Sequence, residues 1–178
     1  VHEHSFDDIY RQLREQILSL GFRMTGRKED AEDVLQETFL LVHRHLPQFK
    51  GESKVSTWVY RIATRVALNL RKPRADRAHD SLTPEHADEL SAPLSSDLLQ
   101  SSEEVQRIRH ALQSLNPGFN AVLSLLGIDA LSPAEVAEIL GIPEGTVWSR
   151  ATHARRKLRE LLQSPARSFA RTESALPC

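Results

Sequence analysis

The chain has 178 residues, 40% of them hydrophobic and 26% charged, with a formal net charge of −1 at neutral pH. That length allows one domain or two small ones, and the ordinary apolar share allows a buried core. No apolar run is long enough to cross a membrane, the polar, acidic start VHEHSFDDIY is not a signal peptide, and the single cysteine, Cys178, excludes an intrachain disulfide and argues against a cysteine-based zinc site. Together these features point to the cytoplasm. The charge is unevenly placed. Residues 1–75 carry 13 Lys and Arg against 10 Asp and Glu, residues 76–103 carry 1 against 7, and residues 104–178 carry 9 against 7. Two mildly basic segments flank an acidic connector.

Residues 5–72 read as helix throughout, without the strict apolar alternation or the hairpin turns of strands. Phe6, Ile9, Leu13, Ile17 and Leu20 recur at helical spacing until TGRKED breaks the pattern at Gly26. A second helix is predicted from about Lys28 to Leu46, stopped by Pro47, and a loop PQFKGESKVS follows. A third is predicted from about Thr57 to Lys72, ending before Pro73. Residues 73–102 are rich in Pro, Ser, Ala and acid, lack periodicity and read as a flexible linker. Helices are predicted again over about 103–114, 117–127, 133–140 and 144–162, and residues 163–178 read as a disordered tail. The expected fold is all-α: two small helical domains, 5–72 and 103–162, on a flexible acidic tether.

The stretch LSPAEVAEILGIPEGTVWSRATHARRKLREL is the most informative. Ser132-Pro133-Ala134-Glu135 is a capping box with proline at the first helical position. Gly141 suits a left-handed helix end, and only Ile142 and Pro143 separate it from the next helix. Two helices joined by so short a turn must cross steeply, as in a helix-turn-helix. On the second helix Val147, Ala151, Ala154 and Leu158 form one narrow core stripe. The opposite side carries Gly145, Ser149, Thr152, His153 and Arg156, with Trp148, Arg150, Arg155, Lys157 and Arg159 beside it. Small polar residues near a helix start suit base edges in a major groove, and arginines further along suit phosphates.

The third helix, TWVYRIATRVALNLRK, has Val59, Ile62, Ala63, Val66 and Leu70 on one face and Trp58, Arg61, Arg65 and Lys72 on another. An indole among cations can stack on an unpaired base while the cations hold the backbone. It can equally be a core residue with arginines laid over it. The second helix poses a different problem. EDAEDVLQETF packs five carboxylates into nine residues, a surface that DNA phosphate would repel.

Taken together, DAEDVLQETFL at 30–40, FKGESKVSTWVYRIATRVALNLRK at 49–72 and LSPAEVAEILGIPEGTVWSRATHARRKL at 131–158 resemble the extracytoplasmic function (ECF) sigma factors of the sigma-70 family. The resemblance spans about residues 5–162. It implies a dissociable promoter-recognition subunit of RNA polymerase, with a sigma-2 domain that reads and melts the −10 element and a sigma-4 domain that reads the −35 element as duplex. It also answers the acidic helix, which in the family docks on the clamp coiled coil of the polymerase β′ subunit. Asp33, Gln36, Glu37, Leu40 and Arg44 fall on one stripe suited to that basic partner, and Ala31, Val34, Leu35, Thr38 and Val42 on the core side. Sigma-4 is expected on the β flap.

By the same resemblance the loop Phe49–Ser56, with Phe49, Lys50, Lys54 and Ser56, forms the pocket for a base flipped from the non-template strand. Trp58, Arg61 and Arg65 lie near the upstream edge of the bubble. The −35 contacts fall to Gly145, Thr146, Trp148, Ser149, Arg150, Thr152, His153 and Arg156. The linker would thread the polymerase channel. Relatives commonly carry a basic residue at Trp148, an arginine at His153, a larger apolar residue at Ala151 and an arginine at Asn120. Fewer phosphate contacts would then weaken −35 affinity, flatten its salt dependence and call for an activator or an unusual −35 sequence. An anti-sigma factor, often membrane-anchored in the family, is an expected partner, and no cofactor or small-molecule substrate is.

Other classes explain less. His43 and His45, with His2 and His4, could suggest a metal centre, but i,i+2 spacing puts two histidines on different helix faces. No phosphate loop or nucleophile elbow is present, so an enzyme is not expected. A stand-alone regulator of the LuxR type accounts for 131–160 and leaves 28–72 without a task. A sigma-like decoy that binds polymerase without initiating remains the other alternative.

Overall fold

The computed structural model describes residues 5–72 and 103–163. The predicted linker, the tail beyond residue 163, His2, His4 and Cys178 lie outside them. Every regular element among the described residues is helical: α1 (Phe6–Thr25), α2 (Lys28–His45), α3 (Val55–Leu70), α4 (Glu103–Gln113), α5 (Pro117–Leu123), α6 (Pro133–Leu140) and α7 (Glu144–Gln163).

α1 to α3 form the first group. The apolar spacing of α1 becomes its buried face, with Ile9, Leu13, Ile17, Leu20 and Met24 sealed against α2 and α3. α2 answers with Val34, Phe39 and Val42, and α3 with Val59, Ala63 and Val66. Each large side chain so buried stabilises the fold by about 1.5–3 kcal/mol. At one end Phe6 and Tyr10 enclose the Phe39 ring, with Tyr10 and Phe39 centroids 4.8 Å apart in an edge-on arrangement. Two boundaries differ from expectation. Pro47 tightens the end of α2 into a short 3-10 turn, Leu46–Gln48, and α3 begins two residues before Thr57, at Val55.

α4 to α7 form the second group. Asn116 accepts a hydrogen bond from the Gly118 amide and starts α5 with Pro117 in its first turn. The helix predicted over 117–127 loosens into a π turn at Ser124–Ile128. The capping box forms as read: Ser132 Oγ accepts from the Glu135 amide, and Glu135 Oε2 accepts from the Ser132 amide. α6 ends at Gly141 in the left-handed region, φ 62°, and the two-residue step to α7 completes the helix-turn-helix. The predicted stripe of α7 is inward, with Val147, Ala151 and Ala154 fully buried and Leu158 half-buried.

The groups do not merely follow one another. Ala121, Val122, Leu125, Val136, Ile139, Val147 and Ala151 belong to the same continuous core as α1 to α3. Polar contacts stitch the seam. Arg23 meets Asp129 at 2.6 Å with both side chains nearly buried, and the Tyr60 hydroxyl hydrogen-bonds that carboxylate. Arg71 donates to the Gln113 carbonyl at the end of α4, and the Arg109 guanidinium lies 4.9 Å over the Phe22 ring. Gly26 closes α1 at φ 85°, and a Cβ there would sit 2.2 Å from the Gln113 side chain. Both the backbone and the close approach of α4 require glycine at that position.

Candidate functional site

Three surfaces carry the residues singled out in the sequence. The first is the outer side of α2. Ala31, Val34, Thr38 and Val42 are buried and Leu35 is half-buried, which fixes the helix's rotation. Asp33 and Arg44 are then exposed, and Gln36, Glu37 and Leu40 half-exposed along one stripe. Partial burial, then the neighbouring charges of Asp30 and Glu29, push the Asp33 carboxyl above its usual range. Crowded carboxylates of this kind gain from a cationic partner. His43, weighed as a metal ligand, instead sets its ring edge-on to Phe6 at 5.1 Å.

The second surface is an open cleft of about 560 Å³ between the 46–54 loop and α3. Phe49 and Trp58 form one wall, with ring centroids 4.9 Å apart and planes at 33°. Trp58 is thus half-buried, packed on one side and open to the cleft on the other. Lys50 and Arg61 line the same space, and Lys54, Ser56 and Arg65 lie nearby in sequence, Lys54 and Arg65 exposed. Aromatic faces among cations are the ingredients for an unpaired base and its phosphates.

One lining residue was invisible to sequence reading. Glu138 comes from α6, and its carboxylate accepts from Arg61 at 2.8 Å. Lys54 is held in the same way, its Nζ 2.8 Å from Glu135. Glu135 therefore does two jobs, capping α6 with one oxygen and binding Lys54 with the other. These bonds, Lys54 first and Ser132 after it, hold its carboxyl down at about 2. α6 thus places carboxylates on Arg61, which lines the cleft, and on Lys54 close by in the loop.

The third surface is the outward side of α7. Gly145, Trp148, Ser149, Thr152, His153 and Arg156 are exposed, and Thr146 and Arg150 half-exposed. The helix-turn-helix brings all eight sequence-predicted residues onto one helix. Asn120 takes a different place from the one expected. It is fully buried, its amide donates to the Leu112 and Arg23 carbonyls, and its oxygen accepts from Ser124. It is a seam residue, and its being asparagine removes no phosphate contact from the surface.

The sigma-70 region 2 family model matches residues 9–77, and the sigma-70 region 4 model matches residues 105–158. The chain is 33% identical over 169 residues to the ECF RNA polymerase sigma factor SigW of Bacillus subtilis, covering 90% of each protein. The chain belongs to the sigma-70 family. It is an ECF sigma factor, an alternative initiation factor that directs RNA polymerase to promoters. It is also 33% identical over 160 residues to SigE of Mycolicibacterium smegmatis, covering 89% of this chain and 62% of that one. Among solved structures, the sigma factor RpoE from Bartonella quintana, in complex with the anti-sigma factor NepR, matches with a TM-score of 0.69 at 22% identity, over 89% of this sigma factor and 97% of that chain. CnrH, in complex with the cytosolic domain of CnrY, matches with a TM-score of 0.66 at 23% identity, over 88% and 86%. Both matches span the two helical groups and establish the shared fold.

Proposed function

We propose that this sigma factor divides its work among the three surfaces. The outer stripe of α2, Asp33, Gln36, Glu37, Leu40 and Arg44, docks on the β′ clamp coiled coil, and the second helical group docks on the β flap. The cleft takes an unpaired −10 base against Phe49 and Trp58, with Lys50, Lys54, Ser56, Arg61 and Arg65 serving the strand around it. α7 enters the −35 major groove. The factor acts in the cytoplasm as a non-catalytic subunit. An anti-sigma factor restrains it by covering the polymerase-binding faces. No helix among the described residues is long and apolar enough to cross a membrane.

The observation that carries this reading is the cleft itself, where two aromatic rings and Arg61 line one open space. A stand-alone helix-turn-helix regulator has no use for such a feature. The test is run-off transcription with bacterial core polymerase, with and without the protein, on promoter fragments of its own genome. Specific transcripts sharing one promoter sequence are expected. Core binding without transcripts would favour a decoy, and no core binding would overturn the reading.

A further inference from the structure

The outward face of α7 is unusual in what it offers to DNA. Trp148 is 49% exposed, one of the few large apolar side chains so open among the described residues. One turn later, the Thr152 hydroxyl donates to the Trp148 carbonyl at 3.0 Å. Its proton is used, and its methyl group remains. His153 is also committed, with Nδ1 2.8 Å from the Ser149 carbonyl. A carbonyl only accepts, so Nδ1 is the donor, and in that tautomer of the imidazole Nε2 is the acceptor.

These three side chains therefore present an indole, a methyl group and an acceptor where an arginine would present paired donors. The major groove separates bases along those lines. Thymine shows a methyl group, adenine and cytosine show amino donors, and guanine shows only the acceptors N7 and O6. Thr152 and His153, their protons spent on backbone carbonyls, have none left for guanine's O6 and N7, while the indole and the methyl group gain from packing on thymine.

On the reading of α7 as the −35 helix, we propose that Trp148 and Thr152 read thymine methyl groups and His153 reads an amino donor, so that this sigma factor selects −35 elements by apolar contact and disfavours guanine opposite those residues. Trp148 is the residue that sets this preference. The arginines at 155 and 156 lie further along the helix and supply the sequence-independent hold on phosphate.

The experiment uses the full chain with core polymerase on a promoter duplex selected by the run-off assay. Each −35 thymine is replaced in turn by deoxyuracil, which removes only the 5-methyl group. Open-complex affinity is expected to fall about threefold to fourfold at each methyl that contacts the protein, the value of one buried methyl-sized group. Trp148→Ala should lower affinity for the thymine promoter and abolish the difference between thymine and deoxyuracil at the positions that Trp148 contacts. Thr152→Ser, which keeps the hydroxyl and loses the methyl, should reduce the difference at a single position. Trp148→Arg should raise the tolerance for guanine. Equal affinity for thymine and deoxyuracil promoters in the unaltered protein overturns the proposal, and so does an undiminished difference in Trp148→Ala. If no duplex substitution anywhere upstream changes affinity, the assignment of α7 to the −35 element falls instead, and this proposal with it.

Discussion

The buried ion pair at the seam makes the strongest demand on the arrangement described. Arg23 belongs to α1 and Asp129 to the turn after α5, and their side chains are 11% and 6% exposed. Asp129→Ala leaves the Arg23 guanidinium buried without its counter-charge, whereas separating the helical groups returns it to water. Removing one partner of a buried pair costs about 3–5 kcal/mol. The closed arrangement should therefore lose ground to an open one by a factor of roughly a hundred or more. Lys54–Glu135 and Arg61–Glu138 cross the same seam, but their cations are 75% and 45% exposed. Solvent screens such pairs, so Glu135→Gln with Glu138→Gln should shift the balance far less. The assay is the distance distribution between spin labels at Arg11→Cys and Arg155→Cys, both exposed positions, in a Cys178→Ser background. Asp129→Ala should move the distribution to longer distances and tighten binding of a single-stranded −10 oligonucleotide, because Lys54 and Arg61 are released from α6. Two results would refute the reasoning: an unchanged distribution in Asp129→Ala, or a larger opening in the double glutamine variant.

Two further perturbations separate contributions at the same seam. Gly26→Ala imposes a left-handed backbone on alanine, costing about 1–2 kcal/mol, and drives its Cβ into Gln113. The thermal midpoint should fall, and adding Gln113→Ala should recover the steric part while leaving the backbone part. Asn120→Ala strands the Arg23 carbonyl and the Ser124 hydroxyl, while the Leu112 carbonyl keeps the Leu115 amide, with a cost of about 1–3 kcal/mol for each buried group left unpaired. It should lower stability in chemical denaturation while leaving the salt slope of −35 duplex binding unchanged, and a shallower slope would return Asn120 to the DNA surface.

What the sequence made legible was local. The capping box at Ser132 and the stop at Gly141 are decided by neighbours within four residues, so the helix-turn-helix was readable to the residue. The inward stripes of α2 and α7 follow from helical periodicity alone, and the outward residues follow from them. The predicted starts and stops failed at the 3-10 turn around Pro47, at Val55 and at the π turn after α5. The seam was not legible at all. Glu138 lies 77 residues from Arg61, and Asn120 lies 97 from Arg23. Such pairings have no period and no motif, and a buried asparagine looks like a surface one until its partners are in place.

Glu135 shows how the seam should respond to acid. Its carboxyl is held at about 2 against an ordinary 4.5, first by Lys54 and then by the Ser132 amide and hydroxyl. An acid depressed in the folded state contributes stability that is complete above about pH 4.5 and lost as pH falls through about 2. Asp129 has the opposite sign. Burial raises it against the pull of Arg23 and Tyr60, so the folded chain holds its proton longer and its contribution shrinks as pH rises past 3.8. Comparing the protein with Glu135→Gln isolates the first effect, because every other carboxylate is common to both. Glutamine keeps an oxygen for the Ser132 amide and loses the charge that Lys54 needs. The difference in unfolding midpoint should be greatest above pH 4.5 and close towards pH 2. A difference that stays constant across that range would mean that Glu135 acts through its shape and its cap alone. The charge would then hold nothing across the seam, and Lys54 would be as available to DNA in the closed form as in an open one.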